Sequence, residues 1–194
     1  MPGRELFASA YYALDLIIGF GVPLLVLFLY RTGRMDRFVW RLFWIGCVIG
    51  LTWEIPMFML SAHDTGLPVL RWVRPLPLPY PVFMVSHTLW DGGLFLAGLW
   101  CVYRFCPAPQ LQGFRWRELG VLVGFGQLSE LAVEVSSTLN DGWAFLPGYW
   151  WSPTLFTVNG HPITLMPQLV WLAAPVVFYV IALLLKRRAT QPAT

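Results

Sequence analysis

"WRLFWIGCVIGLTWEIPMFML" (residues 40–60) decides how this chain is to be read. The run is long enough to cross a hydrocarbon core of about 30 Å as a helix. Its second half carries Glu54 and then Pro56. An acidic side chain at such depth is costly unless it is neutralised, paired or used. The stretch therefore announces a membrane span and asks what its carboxyl is for.

Composition extends the first half of that reading to the whole chain. Of 194 residues, 57% are hydrophobic and only 12% charged, with 11 Trp and 14 Phe, which no ordinary soluble domain of this size shows. Apolar windows of spanning length recur at about 8–30, 40–60, 82–105, 117–139 and 164–185. The expectation is an all-α, polytopic, multi-pass integral membrane protein with five transmembrane helices, in one membrane domain covering residues 1–194. The first span is not expected to be a signal peptide, because its apolar part is too long, it contains Asp15, and no basic leader or small-residue cleavage site accompanies it.

Positive charge is retained on the cytoplasmic side during insertion. Arg31, Arg34, Arg37 and Arg41 lie between spans 1 and 2, Arg104, Arg115 and Arg117 between spans 3 and 4, and Lys186, Arg187 and Arg188 in the tail. These alternate segments place the N-terminus outside and the C-terminus inside. The net charge of +3 is thus topological. No basic run with interleaved aromatics points to nucleic acid.

Cys47, Cys101 and Cys106 form no C-x-x-C pair and have no His at ligand spacing, so neither a disulfide framework nor a metal site is implied. Phosphate-cradling glycine loops and the usual hydrolase motifs are absent from the sequence. Two outer-side segments are long enough to have structure. Residues 61–81 hold five prolines, whose P-x-P spacing favours an extended path and a lid. Residues 140–163 are rich in Trp, Tyr and Pro, and Asn159-Gly160 favours a tight turn. This second segment reads as an interfacial aromatic belt or, alternatively, as a cap over a hydrophobic pocket.

The polar residues inside the spans agree on depth. Glu54, Gln127, Glu130 and Glu134 fall in the outer halves of helices running outward; Asp15, His87, Asp91 and Gln168 fall in the outer halves of helices running inward. Intramembrane ionisable groups face a bundle interior or cavity. Gln127, Glu130, Glu134, Ser137 and Asp141 follow steps of three and four, making one stripe of helix 4, and His87 and Asp91 are spaced to touch. The candidate catalytic residues are Glu54, His87, Asp91, Glu130 and Glu134, because carboxyl and imidazole groups in low dielectric can give and take protons at neutral pH. The bland alternatives are an interhelical hydrogen bond for His87 with Asp91, an interfacial, water-facing position for Glu130 and Glu134, and a structural role for Asp15. Trp53, Trp90 and Trp171 are candidate π-faces for a cation.

The segments "IGLTWEIPMF" (49–58), "VGFGQL" (123–128), "NDGWAF" (140–145) and "QLVWLAAP" (168–175) resemble the emopamil-binding-protein group. These EXPERA-type five-helix membrane proteins include sterol Δ8-Δ7 isomerases and the sigma-2 receptor. The resemblance spans roughly residues 44–188 and is slight residue by residue. It sets Glu54 on the group's helix-2 acid, Gln168 on an Asn and Trp171 on a tryptophan, with Asp141 in its R-D-G-F turn. In "SHTLWDGGLFLAGLW" (86–100) His87 stands where the group has Glu, and Gly50 stands where it has the helix-2 His used in isomerisation. Acid and imidazole have exchanged helices. The resemblance implies the fold and a sterol-like ligand bound near the polar cluster.

The expected function is a membrane-embedded isomerase or cyclase of a lipid-soluble isoprenoid, sterol- or terpenoid-like. A carboxyl protonates a C=C bond and a base on the other side removes a proton. Trp53, Trp90, Gln127, Asp141, Gln168 and Trp171 are the candidate substrate-binding residues. No cofactor or metal is expected. The partners are the hydrophobic small molecule and the lipid bilayer, with a homodimer as an option. The alternative is a non-catalytic sterol- or lipid-binding protein of the same fold. A proton-coupled carrier fits less well, since the inner half offers no polar path and no inverted repeat is present.

Overall fold

A computed structural model describes residues 2–62 and 68–190, with side chains over 10–61 and 68–188. Five helices dominate: α1 (Pro2–Arg31), α2 (Arg37–Ala62), α3 (Tyr80–Phe105), α4 (Trp116–Leu139) and α5 (Leu165–Thr190). All five are long and apolar enough to cross a membrane. Four short strands join them at one end: β1 (Leu70–Trp72), β2 (Trp143–Phe145), β3 (Thr154–Val158) and β4 (His161–Thr164). The fold is helical as expected, and the strands are an addition to it.

Successive helices run antiparallel, so the molecule has a strand-bearing end and an arginine-rich end. α2, α3, α4 and α5 close a ring, and α1 lies against α2 and α3. Small residues let the backbones approach, as packing without a hydrophobic drive between helices requires. Gly46 meets the Phe95 ring, Gly92 meets Phe43 and Cys47, Gly19 meets Ser86, and Gly126 meets Trp171 and Pro175. α1 is the most peripheral span, with 22% of its apolar window buried against 44% for α3. Its Ile17, Leu24 and Leu25 point outward, a surface that suits lipid and not water.

Leu42, Leu99, Val102, Phe178 and Tyr179 fill the arginine-rich half. Phe95 stacks between Trp171 (5.3 Å) and Phe178 (4.7 Å), closing that core from above. The α3–α4 turn folds over Glu118, fully buried in the first turn of α4. Its carboxylate accepts hydrogen bonds from the Leu111 N–H and, at 2.8 Å, from the Tyr179 hydroxyl. Tyr179 in turn accepts from the Arg115 N–H. These bonds satisfy a buried acid and a turn whose amides would otherwise be stranded.

At the other end β1 pairs antiparallel with β2, Leu70 opposite Phe145 and Trp72 opposite Trp143. The Ser137 hydroxyl at the end of α4 donates to the Trp143 carbonyl (2.8 Å) and accepts from the Trp143 N–H (2.7 Å). Tyr12 of α1 donates to the Gly142 carbonyl at 2.8 Å, and Arg74 pairs with Asp141 at 3.1 Å. The small sheet is thereby fastened to α1 and α4 as a cap. β3 and β4 form a hairpin turning on Asn159 and Gly160, whose φ of 50° and 78° match the type I′ geometry that an Asn-Gly pair favours. Within the proline-rich segment the extended path is realised as β1; residues 63–67 lie outside the described residues.

Candidate functional site

Beneath the β1–β2 cap lies a cavity of about 760 Å³, the open space at its mouth included, walled by all five helices. Its upper wall is Leu70, Trp143 and Phe145 from the sheet, and Trp171 lies at its lower end. Most of the lining is aromatic or aliphatic. The polar part is concentrated in Asp15 (α1), Glu54 (α2), His87 and Asp91 (α3) and Glu130 (α4).

His87 is the hub of that polar part. Its Nε2 lies 2.9 Å from Asp15 Oδ2, and its Nδ1 lies 3.9 Å from Glu54 Oε2. With its proton on Nε2, the ring donates to Asp15 and turns Nδ1 toward Glu54. The rings of Trp72, Phe83 and Trp143 surround the imidazole at centroid distances of 6.2, 6.5 and 6.4 Å. Asp15 is 2% exposed, and its backbone carbonyl accepts from Ser86, which fixes α1 against α3 beside the pair.

Asp91 does not contact His87, although the two are one helical turn apart. It turns to α2, where the Trp53 indole is its hydrogen-bond partner and Gly50 leaves room for its carboxyl. A Cβ at Gly50 would stand 2.5 Å from Asp91 Oδ2. Glu130 reaches the cavity from α4, and two residues of α5, Met166 and Val170, complete the wall beside it. Trp53 and Trp171 meet at 5.7 Å below, and Trp90 lines the same space.

Four expected site residues stand elsewhere. Glu134 accepts from the Thr164 N–H at 3.1 Å, which ties β4 to α4. Gln127 donates to the Gln168 backbone carbonyl at 2.8 Å, and Gln168 sits beside the Glu134 carboxyl. Asp141 holds Arg74 and lies close to Asn159 and His161 in the hairpin. None of the four is on the cavity wall. The reason is local: strands and α5 crowd the last turns of α4, and their backbone amides claim the nearest acceptors.

Sequence reasoning placed Asp15 with the structural residues, and passed over Tyr11, Trp143 and Phe145. Asp15 had one usable signal, a carboxyl in an apolar helix at the depth of the other polar groups. It lacked a motif because the family resemblance begins after α1.

The site therefore brings together four carboxyl groups and one imidazole in a space otherwise lined by aromatic and aliphatic side chains. That is an arrangement able to give a proton to a bound apolar molecule and to take one back. No known family model, curated protein or solved structure matches the chain. Fold and site define a five-helix bundle of membrane-spanning type with a capped carboxyl–imidazole cavity in its strand-bearing half.

Proposed function

We propose that the protein is a membrane-embedded isomerase or cyclase of a lipid-soluble isoprenoid, sterol- or terpenoid-like. One observation carries the reading: Glu54, His87, Asp91 and Glu130 converge on a single aromatic-walled cavity. Glu130 gives a proton to a C=C bond of the ligand. The positive charge formed on carbon lies between the carboxylates and the faces of Trp53, Trp90 and Trp171, where a cation over indole gains on the order of 0.5–2 kcal/mol. Glu54, beside His87, takes a proton from a neighbouring carbon. One proton enters the ligand and one leaves, so the enzyme is restored when the proton on Glu54 passes back to Glu130 through the cavity.

The resemblance to the emopamil-binding-protein group supports the same reading. Where that group carries its helix-2 His, this chain has Gly50, and the Asp91 carboxyl uses the room. The site is then a rearranged form of one in which an acid and an imidazole work together. With the C-terminus in the cytoplasm, the cavity opens in the outer leaflet.

The test compares lipid extracts of cells expressing the wild type and Glu54→Gln. The substitution preserves volume and hydrogen bonding but removes the exchangeable proton and the charge, so turnover falls by roughly 10²-fold or more. A shifted double bond or a new ring that depends on Glu54 is the expected result. Identical extracts from wild type, variant and empty cells, with a lipid still retained by the purified protein, would establish a binding protein instead.

A further inference from the structure

Among the described residues Asp15 is the most enclosed acid of the cavity and the only one contributed by α1. It lines the cavity beside the imidazole, its Oδ2 2.9 Å from Nε2 of His87. From the geometry we infer that Asp15 is a positioning residue: by accepting from Nε2 of His87 it turns Nδ1 toward Glu54 and so sets which ring nitrogen, and which protonation form of it, Glu54 meets. The inference rests on the proposed acid–base reading of the cavity for its catalytic consequence, but its structural content stands without it.

Three observations carry it. The Asp15–His87 contact, at 2.9 Å, is a full hydrogen bond, while the His87–Glu54 separation of 3.9 Å leaves Glu54 able to move toward a ligand. The rings of Trp72, Phe83 and Trp143 lie around the imidazole and limit its tilting, so the hydrogen bond to Asp15 is what distinguishes its two nitrogens. Asp15 is itself anchored, since Ser86 of α3 donates to its backbone carbonyl. An acceptor that orients an imidazole selects which nitrogen carries the proton, and hence what the other nitrogen can do. The groups facing His87 are Asp15 from α1, Glu54 from α2 and Glu130 from α4. Of these only Asp15 is within hydrogen-bond distance.

Peripheral α1 is thereby joined to the chemistry. Its first described turns hold Tyr11 and Asp15 on the cavity and Tyr12 on the cap, so one helix fixes both the imidazole and the lid above it.

The experiment is nitrogen-15 spectroscopy of histidine-labelled full-length protein in lipid nanodiscs, with the His87 signals assigned by their loss in His87→Gln. In the wild type Nε2 carries a proton, in either the imidazolium or the Nε2–H form. Asp15→Asn, whose amide can donate as well as accept, produces a mixture of tautomers, and Asp15→Glu restores the wild-type pattern. Turnover of Asp15→Asn falls roughly tenfold or more in kcat with little change in KM, as befits an outer residue that orients another. A wild-type His87 in the Nδ1–H form overturns the inference even if no variant folds. So does a His87 pattern that is unchanged in Asp15→Asn. Absence of turnover in the wild type, with the nitrogen pattern as expected, would remove the proposed reaction and leave Asp15 in its place.

Discussion

Gly50 shows how much of the site hangs on one missing side chain. Its Cβ would meet Asp91 at three atoms between 2.5 and 3.1 Å, on two packed helices. Gly50→Ala therefore forces either the carboxyl or the helix to move, and overpacking of this kind costs about 1–3 kcal/mol. The expected result is a lower melting temperature in detergent together with a displaced Asp91. Gly21→Ala and Gly124→Ala, where nothing lies within 4 Å, serve as controls and should be neutral or slightly stabilising, since alanine is the better helix former. Equal losses at all three positions would mean that Asp91 is not wedged as described. At this scale Glu54 was legible from the sequence because a carboxyl inside an apolar run has few bland explanations. The partner of His87 was not. Sequence spacing offered Asp91, while the imidazole's partner, Asp15, lies 72 residues away and on another helix.

Among the elements, α4 most changes its meaning between sequence and structure. Steps of three and four put Gln127, Glu130, Glu134, Ser137 and Asp141 on one stripe, and the stripe reads as one site. In the fold it is a seam whose members go to different partners: the α5 backbone, the cavity, β4, β2 and Arg74. Helical periodicity reports which residues share a face and says nothing of what that face meets along its length. The same substitution one turn apart separates the roles. Glu130→Gln should lower turnover by roughly 10²-fold, as for loss of a positioned acid. Glu134→Gln keeps a carbonyl oxygen to accept from the Thr164 N–H, so its turnover should stay within a few-fold of wild type. Comparable losses in both would return Glu134 to the catalytic residues. The cap was partly legible for a similar reason. A two-residue Asn-Gly turn is a local signal, whereas β1 and β2 are three residues each and pair across more than seventy positions, so no alternation or turn announces them.

For the whole molecule, orientation is the property on which the location of the chemistry depends. The two ends of the fold differ: capping strands, the acid-lined cavity and, of the arginines whose side chains are described, only Arg71 and Arg74 at one; the others and the sealed Glu118–Tyr179 contact at the other. Between Glu118 and Glu130, α4 presents residues 119–126 with no ionisable group, so the cavity has no polar continuation along that helix toward the arginine-rich end. Because Lys and Arg flanking the spans set orientation, and the strand-bearing end retains few of them, the arginine-rich end should be cytoplasmic. A reporter active only in the cytoplasm should work when fused after residue 194 and fail when inserted near residue 155, in the β3 strand. A reporter active only outside the cytoplasm should give the opposite pair. The insertion site is exposed and does not line the cavity, and retained Glu54-dependent lipid conversion would show that loss of signal there reports location and not collapse. If both reporters reverse, the bundle is inverted, the cavity faces the cytoplasmic leaflet, and the ligand must be sought among lipids made or delivered on that side. The carboxyl chemistry would be untouched by that result, since it depends on the distances around His87 and not on which leaflet surrounds them.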